Sequence, residues 1–304
     1  MKRLPCALLI ASLMGLAGPA AAEDKAPPCR FDASVLSFAG TASGQARCLL
    51  RQVLPGGRVA PEEAVLPPAL QAWIDRPTGH WKPALRQLLR REGRSELSLG
   101  GPLDQGVSVA RTPDGRPWPA RYFVVHDTSW PLLHAPAFPL RETFEVNDLG
   151  AYAHPTTAVA HVFVNRLGQT FAPHGLEEPW RATKLELQLV GEAAKGRFLH
   201  IELLQPRRRD PGLPGDNDAL APQPGFSAAQ YEALALLYAA ASVRAGRGLI
   251  PAQHAVIDEG LPQAHDDPQH FELAAFGEAL ARLTAQLDRP GRRGPGRGAA
   301  VVGR

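Results

Sequence analysis

Arg121-Tyr122-Phe123-Val124-Val125-His126-Asp127-Thr128-Ser129-Trp130 holds a run of aromatic and β-branched residues that ends on a histidine. Tyr122 to Val125 suit a buried strand. Small polar residues and a Trp-Pro break follow His126 and end it. A buried strand with His at its C-terminal end holds an imidazole rigidly at a cleft edge. Such a ring serves as a metal ligand or a catalytic base, and equally as an ordinary hydrogen-bonded histidine. Partners elsewhere in the chain decide between these readings.

Outward from this stretch, residues 106 to 288 alternate between strand, loop and helix patterns. Val107 to Ala110 reads as a strand before the central one, and Val159 to Asn165 as another. Arg166-Leu167-Gly168-Gln169 forms a hairpin turn into Thr170-Phe171. Phe198 to Leu204 is a third main strand, and residues 207 to 225 are a Pro/Gly/Asp-rich loop. Ser227 and Gln230 make a capping box, Phe226 and Tyr231 a hydrophobic staple. Tyr231, Leu234, Ala235 and Tyr238 share one helix face, and Gly246 ends the helix. A last helix spans Phe271 or Glu272 to Leu287. The expected fold is α/β, a mixed central sheet flanked by helices.

Residues 23 to 105 are Pro-rich and read as an N-terminal extension packed on the main domain. Ala46 to Val53 and Trp81 to Arg91 look helical there, the second with Leu85, Leu88 and Leu89 as an apolar stripe. Ahead of it, Lys2 and Arg3, the apolar run Ala7 to Leu16 and Ala20-Ala21-Ala22 read as a secretion signal cleaved after Ala22. Cys6 precedes the apolar run and is no lipid-anchor cysteine. The expected location is periplasmic or secreted, with no membrane span. In that oxidising compartment Cys29 and Cys48 are expected to form a disulfide.

The whole chain carries +3, and loss of Lys2 and Arg3 leaves about +1. That argues against a dedicated nucleic-acid binder. Basic residues gather in Arg207-Arg208-Arg209 and in the Gly/Pro/Arg tail Arg289 to Arg304, which reads as disordered.

After the capped helix come Leu249 to Ile257, which includes His254, and Ala264-His265-Asp266-Asp267-Pro268-Gln269-His270-Phe271. Catalytic zinc takes three protein ligands and keeps a fourth position for water. His126, His254 and Asp267 could supply that set. There is no His-Glu-x-x-His stretch, which counts against a zinc peptidase of that class.

The ordered segments Val124-Val125-His126-Asp127-Thr128, Val159 to Gly168, Ile201-Glu202-Leu203, the Ser227 helix leading to His254, and Asp267-Pro268-Gln269-His270-Phe271 carry a resemblance. Over about residues 120 to 285 the chain resembles the zinc-dependent N-acetylmuramoyl-L-alanine amidases. That type is shared by bacterial amidases, phage lysozyme-amidases and peptidoglycan recognition proteins. The resemblance implies zinc ligands His126, His254 and Asp267. Asp267 is preferred to Asp266 because it precedes a proline, as the family's ligand does. It implies that Glu202 acts on the zinc water, and that His161 lines the site. Three departures stand out. His265 occupies the position of a usual lysine, and it is the candidate oxyanion stabiliser. Trp180-Arg181 replaces a tryptophan-histidine pair. His200 stands where glycine is common; by strand alternation it faces the same side as Glu202, where it bonds Glu202, narrows the substrate cleft or simply packs. Asp127 either supports a ligand residue by a hydrogen bond or is an ordinary loop residue. His80, His134, His154 and His174 receive no role. The implied activity is hydrolysis of the muramoyl–alanine amide of peptidoglycan or muropeptides. A non-catalytic peptidoglycan-binding module on the same fold is the alternative. Oligomeric state stays open.

Overall fold

A computed structural model describes residues 29–112, 114–134, 137–138, 143–215 and 217–289. The signal segment with its cleavage point, Cys6, and the tail beyond Arg289 lie outside the described residues.

The centre is a five-stranded mixed sheet. Its strands are β1 (Tyr122–Asp127), β2 (Val162–Val164), β3 (Thr170–Phe171), β4 (Phe198–Leu203) and β5 (Ile250–Gln253). Their spatial order is β5-β1-β4-β2-β3. All neighbours run parallel except the β2–β3 hairpin, which is antiparallel. Every residue of β1 and β4 is buried, as expected for inner parallel strands covered on both faces. The β1–β4 register sets Tyr122 against Phe198 and His126 against Glu202. Beside them β5 sets Gln253 against Val125, so the chain leaves β5 at His254 next to the end of β1.

Besides the short helix Phe144–Asn147, the helices are α1 (Ala42–Leu49), α2 (Pro68–Trp73), α3 (Lys82–Glu92), α4 (Ala228–Ala245), α5 (His254–Ile257) and α6 (Leu273–Leu287). In α4 the Ser227 side chain accepts from Gln230 N–H and the Gln230 side chain accepts from Ser227 N–H. This reciprocal cap satisfies two otherwise orphaned donors. Phe226 and Tyr231 meet edge to face at 6.1 Å. Gly246 closes the helix at φ 74°, a conformation that favours glycine. Tyr231, Leu234, Leu237, Tyr238 and Ala241 are among its many buried residues, so α4 is enclosed nearly all round. No helix among the described residues is long and apolar enough to cross a membrane.

The segment before residue 106 shares one apolar cluster with the sheet. Leu49, Leu70, Trp73, Leu85 and Leu88 belong to the same cluster as Tyr122, Val124 and Leu234. Tyr122 Oη accepts from Phe38 N–H at 2.9 Å and donates to Gln45 Oε1 at 2.9 Å. Trp73 stacks on Trp81 at 4.1 Å, and both indoles donate near the end of the chain, to Thr284 Oγ1 and Asp288 Oδ1. The Cys29–Cys48 disulfide ties the first described residue to α1.

Several elements differ in extent from the pattern reading. The first helix begins at Ala42, because Thr41 caps it by accepting from Gly44 N–H, and it ends at Leu49. Val53, expected within it, bridges to Val59 instead. The strand expected over Val107 to Ala110 is Val109–Arg111, which pairs with Pro117–Pro119 outside the central sheet.

Candidate functional site

The carboxyl ends of parallel strands are where α/β sheets place their ligands, and here those ends carry titratable groups. His126 is the fifth residue of β1, Glu202 the fifth of β4, and His254 follows β5 directly. Asp267 arrives from the loop after α5. Its main-chain carbonyl accepts from Ala255 N–H at 2.8 Å, and its Oδ2 accepts from Asp127 N–H at 3.0 Å.

His126 Nδ1 lies 2.8 Å from His254 Nδ1. His254 Nδ1 is also 3.0 Å from Asp267 Oδ1, and His126 Nδ1 is 3.9 Å from Asp267 Oδ2. Potential ligand atoms of these three residues all fall within 4.8 Å of one another, and all three residues are buried. Two imidazole nitrogens and a carboxylate facing one point repel unless a cation lies between them. Without a metal, a proton fills that need. Burial opposes a charged His254 ring, but Asp267 and Asp258 outweigh it and raise its pKa to about 10. Burial, reinforced by His254 and His200, holds His126 well below the usual range. Burial alone would lift the Asp267 carboxyl, yet the charge and hydrogen bond of His254 keep it low. With a metal, two nitrogens and one oxygen match the three-ligand, open-position pattern of catalytic zinc. The donor set therefore fits such an ion.

Glu202 Oε1 stands 3.9 Å from His126 Nδ1. Burial, with Asp267 and Asp127 nearby, raises the Glu202 carboxyl well above the carboxylate range. Its Oε2 has no hydrogen-bond partner among the described residues. Such an environment suits a carboxyl that exchanges protons with a reactant.

A bracket behind the site fixes the ligand loop. Asp127 Oδ1 and Oδ2 accept from Arg207 Nη2 at 2.9 and 2.7 Å, and both side chains are fully buried. Asp127 also accepts from Ser129 N–H and Gln269 N–H. Asp127 thus orders Gln269 with its carboxylate and Asp267 with its amide. Gly57 of the N-terminal segment presses on the same loop, where an added Cβ would come 2.5 Å from Asp266 Cβ.

His265 is exposed. Its Nδ1 lies 3.1 Å from Asp258 Oδ2, and its ring sits 4.2 Å from that of His254. His254 Nε2 reaches the same carboxylate at 3.0 Å. Burial disfavours ionised Asp258, but hydrogen bonds from both rings overcome this and hold it well below the usual range.

His200 and His161 sit behind His126 and not on an open surface. His126 Nε2 is 3.0 Å from His200 Nδ1, and His200 Nε2 is 3.2 Å from Glu186 Oε2. His161 accepts from His200 N–H at Nδ1 and donates to Glu178 O from Nε2, both at 3.0 Å. Burial and His200 push His161 down to about 3, so it is neutral. Both its ring nitrogens are spent on backbone groups.

The four histidines given no role above stand apart, while His270 is half-buried just after Asp267. His174 bonds Ala158 O, His154 bonds Thr156, His80 lies against Trp81, and His134 is exposed. Trp180 donates to Val159 O, and Arg181 pairs with Glu192. Glu186, Asp258 and Arg207 are residues of the site and its frame that sequence reading missed. Thr183-x-x-Glu186 is a capping-box pattern, and Asp258 follows His254 at the i,i+4 spacing, so both carried a local signal.

No family model matches the chain, and no curated protein matches it. Among solved structures, the chain is similar to one described as the crystal structure of a selenomethionine derivative of AmpD. The two share 18% identity over 60% of this chain and 97% of that one, with a TM-score of 0.33.

Proposed function

We propose that this chain is an exported zinc hydrolase that cleaves the amide between N-acetylmuramic acid and the L-alanine of peptidoglycan stem peptides. One observation carries the reading. His126, His254 and Asp267, drawn from separate parts of the chain, meet with their ligand atoms within 4.8 Å, with Glu202 beside them. The resemblance of the same ordered segments to zinc amidases supplies the substrate class. The Cys29–Cys48 disulfide supports an oxidising compartment, in keeping with the charged and apolar pattern of Lys2 to Ala22.

In this reading His126, His254 and Asp267 hold the ion. Zinc there supplies a Lewis acid for the scissile carbonyl and a lowered pKa for water. Glu202 accepts a proton from the attacking water and returns it to the departing alanine nitrogen as the C–N bond breaks. His265 is assigned to the oxyanion. With its Nδ1–H given to Asp258, its Nε2 donates only when the ring is doubly protonated. A His265→Lys enzyme, with an ammonium donor in place of the ring N–H, should therefore stay active.

Purified protein incubated with muropeptides tests the reading by mass spectrometry. Wild type should release stem peptides that begin with alanine. Glu202→Gln should keep its zinc and fold but lose on the order of 10²–10⁴ in rate. Zinc-loaded wild type that binds sacculi and releases no such peptide would establish the binding-module alternative.

A further inference from the structure

We propose that His200 and Glu186 form a positioning relay that holds His126 in the tautomer needed to ligate a metal. The inference rests on the reading that His126, His254 and Asp267 bind zinc. Metal-bound histidines ordinarily give their second ring N–H to a carboxylate or carbonyl, which fixes ring orientation and tautomer. For His254 that partner is direct, with Nε2 3.0 Å from Asp258 Oδ2. For His126 it runs through a second imidazole. His126 Nε2 lies 3.0 Å from His200 Nδ1, and His200 Nε2 lies 3.2 Å from Glu186 Oε2. A proton on His126 Nε2, given to His200 Nδ1, leaves the Nδ1 lone pair of His126 facing His254 and Asp267. His200 then carries its own proton on Nε2, toward Glu186.

The supports of this relay are built in. His200 pairs with Val124 in the β4–β1 ladder, two residues before Glu202. Glu186 belongs to a π-helical turn, Leu185–Val190. Its Oε2 accepts from Ala182 N–H, Thr183 N–H and the Thr183 hydroxyl. Leu185 N–H donates to Asp258 Oδ1 at 3.1 Å, so one turn is tied to the supports of both histidines. His200 and Glu186 side chains are fully buried. Glu186 Oε1 and His200 Nε2 both lack a hydrogen-bond partner among the described residues, so the 3.2 Å approach of His200 Nε2 to Glu186 Oε2 is an ion-pair contact that no other group competes for. A buried His–Glu pair is costly to desolvate, and an apolar pair of similar volume often serves packing as well. What the polar pair adds is a directed acceptor for His126.

The test is zinc affinity, measured with the metal alone by competition against a chromophoric chelator, on the full chain. His200→Leu removes the acceptor and should weaken zinc binding about 10–100-fold. His200→Asn places Oδ1 near the former Nδ1 and should recover most of that loss. Glu186→Gln should weaken binding in the wild-type background and change nothing in the His200→Asn background, where the link is already cut. Nitrogen-15 shifts of metal-free protein should place the His126 proton on Nε2 in wild type and spread it over both nitrogens in His200→Leu. If His200→Leu does not fold, the Asn and Glu186→Gln variants still decide. A folded His200→Leu with wild-type affinity would overturn the relay, as would Glu186→Gln acting equally in both backgrounds. Wild type that binds no zinc would overturn the metal reading and, with it, the relay's role toward a metal. Wild type that binds zinc indifferent to these changes would overturn the relay alone.

Discussion

Replacing Arg207 with Met tests how firmly the site's frame depends on one buried charge pair. The guanidinium meets both oxygens of Asp127, at 2.9 and 2.7 Å, with neither side chain exposed. At a charge separation of about 4 Å and an effective dielectric of about 20, the pair is worth about 4 kcal/mol of attraction. Methionine fills much of the same volume but leaves Asp127 ionised and unpaired, a change that typically costs about 3–5 kcal/mol. The amides of Ser129 and Gln269 still point at Asp127, so we expect the lower end, about 3 kcal/mol. Urea unfolding should show this as a lower midpoint at unchanged slope. Burial already raises Asp127 to about 6 with Arg207 in place, against an unfolded value of about 3.9, and loss of Arg207 raises it further. A raised pKa means stability that is present below about 3.9 and lost as pH climbs through the folded value, so the deficit against wild type should be smaller at about pH 5 than at about pH 8. Asp127→Asn combined with Arg207→Met removes both charges and should recover most of the loss. A single variant that loses less than about 1 kcal/mol, or a double variant no better than the single, would refute the reasoning.

Two further outcomes follow from the same structure. The Cys29–Cys48 bond closes a separation of 19 residues, worth about 3 kcal/mol in the chain-entropy model; Cys29→Ser with Cys48→Ser should lower unfolding stability by that order, read by urea titration. His161 is neutral and buried with its pKa pushed down to about 3, while the unfolded ring takes a proton near about 6.5. Stability is therefore present above about 6.5 and lost as pH falls toward about 3, by up to about 1.4 kcal/mol per pH unit. His161→Asn should flatten that acid limb in unfolding curves collected across the window, and an unchanged limb would exclude His161 as its source.

The legible parts of this chain were those written locally. Ser227 and Gln230 sit three residues apart, so their reciprocal cap and the start of α4 could be read directly. Tyr122 to Val125 alternate no polar residue into the run, which is what burial on both faces requires. The candidate site was expected partly from residue types and chiefly from the resemblance of the ordered segments, and His126, His254 and Asp267 do meet. What escaped was anything defined by a distant partner. Arg207 reads as one of three arginines in a loop, yet it is fully buried because Asp127, 80 residues earlier, is there to meet it. Glu186 carries the local mark of a cap, but its burial against His200 depends on a strand that comes later. The strand expected from Val159 forms only over Val162–Val164. Val159 itself is exposed, its carbonyl taken by the Trp180 indole.

The long reach between the groups of the site has a consequence for biogenesis. His126 and His254 lie 128 residues apart, and Asp127 bonds Asp267 across 140. A chain that emerges from its amino end displays β1 and then β4, with His126 and Glu202, before His254 and Asp267 exist. Such a half-made chain offers an ion one imidazole and one carboxylate, too few donors to retain it against competing chelators. Only when the segment through Asp267 has emerged and β5 has docked beside β1 does the full donor set close. In the metal reading proposed above, capture waits until the segment through Asp267 has been made.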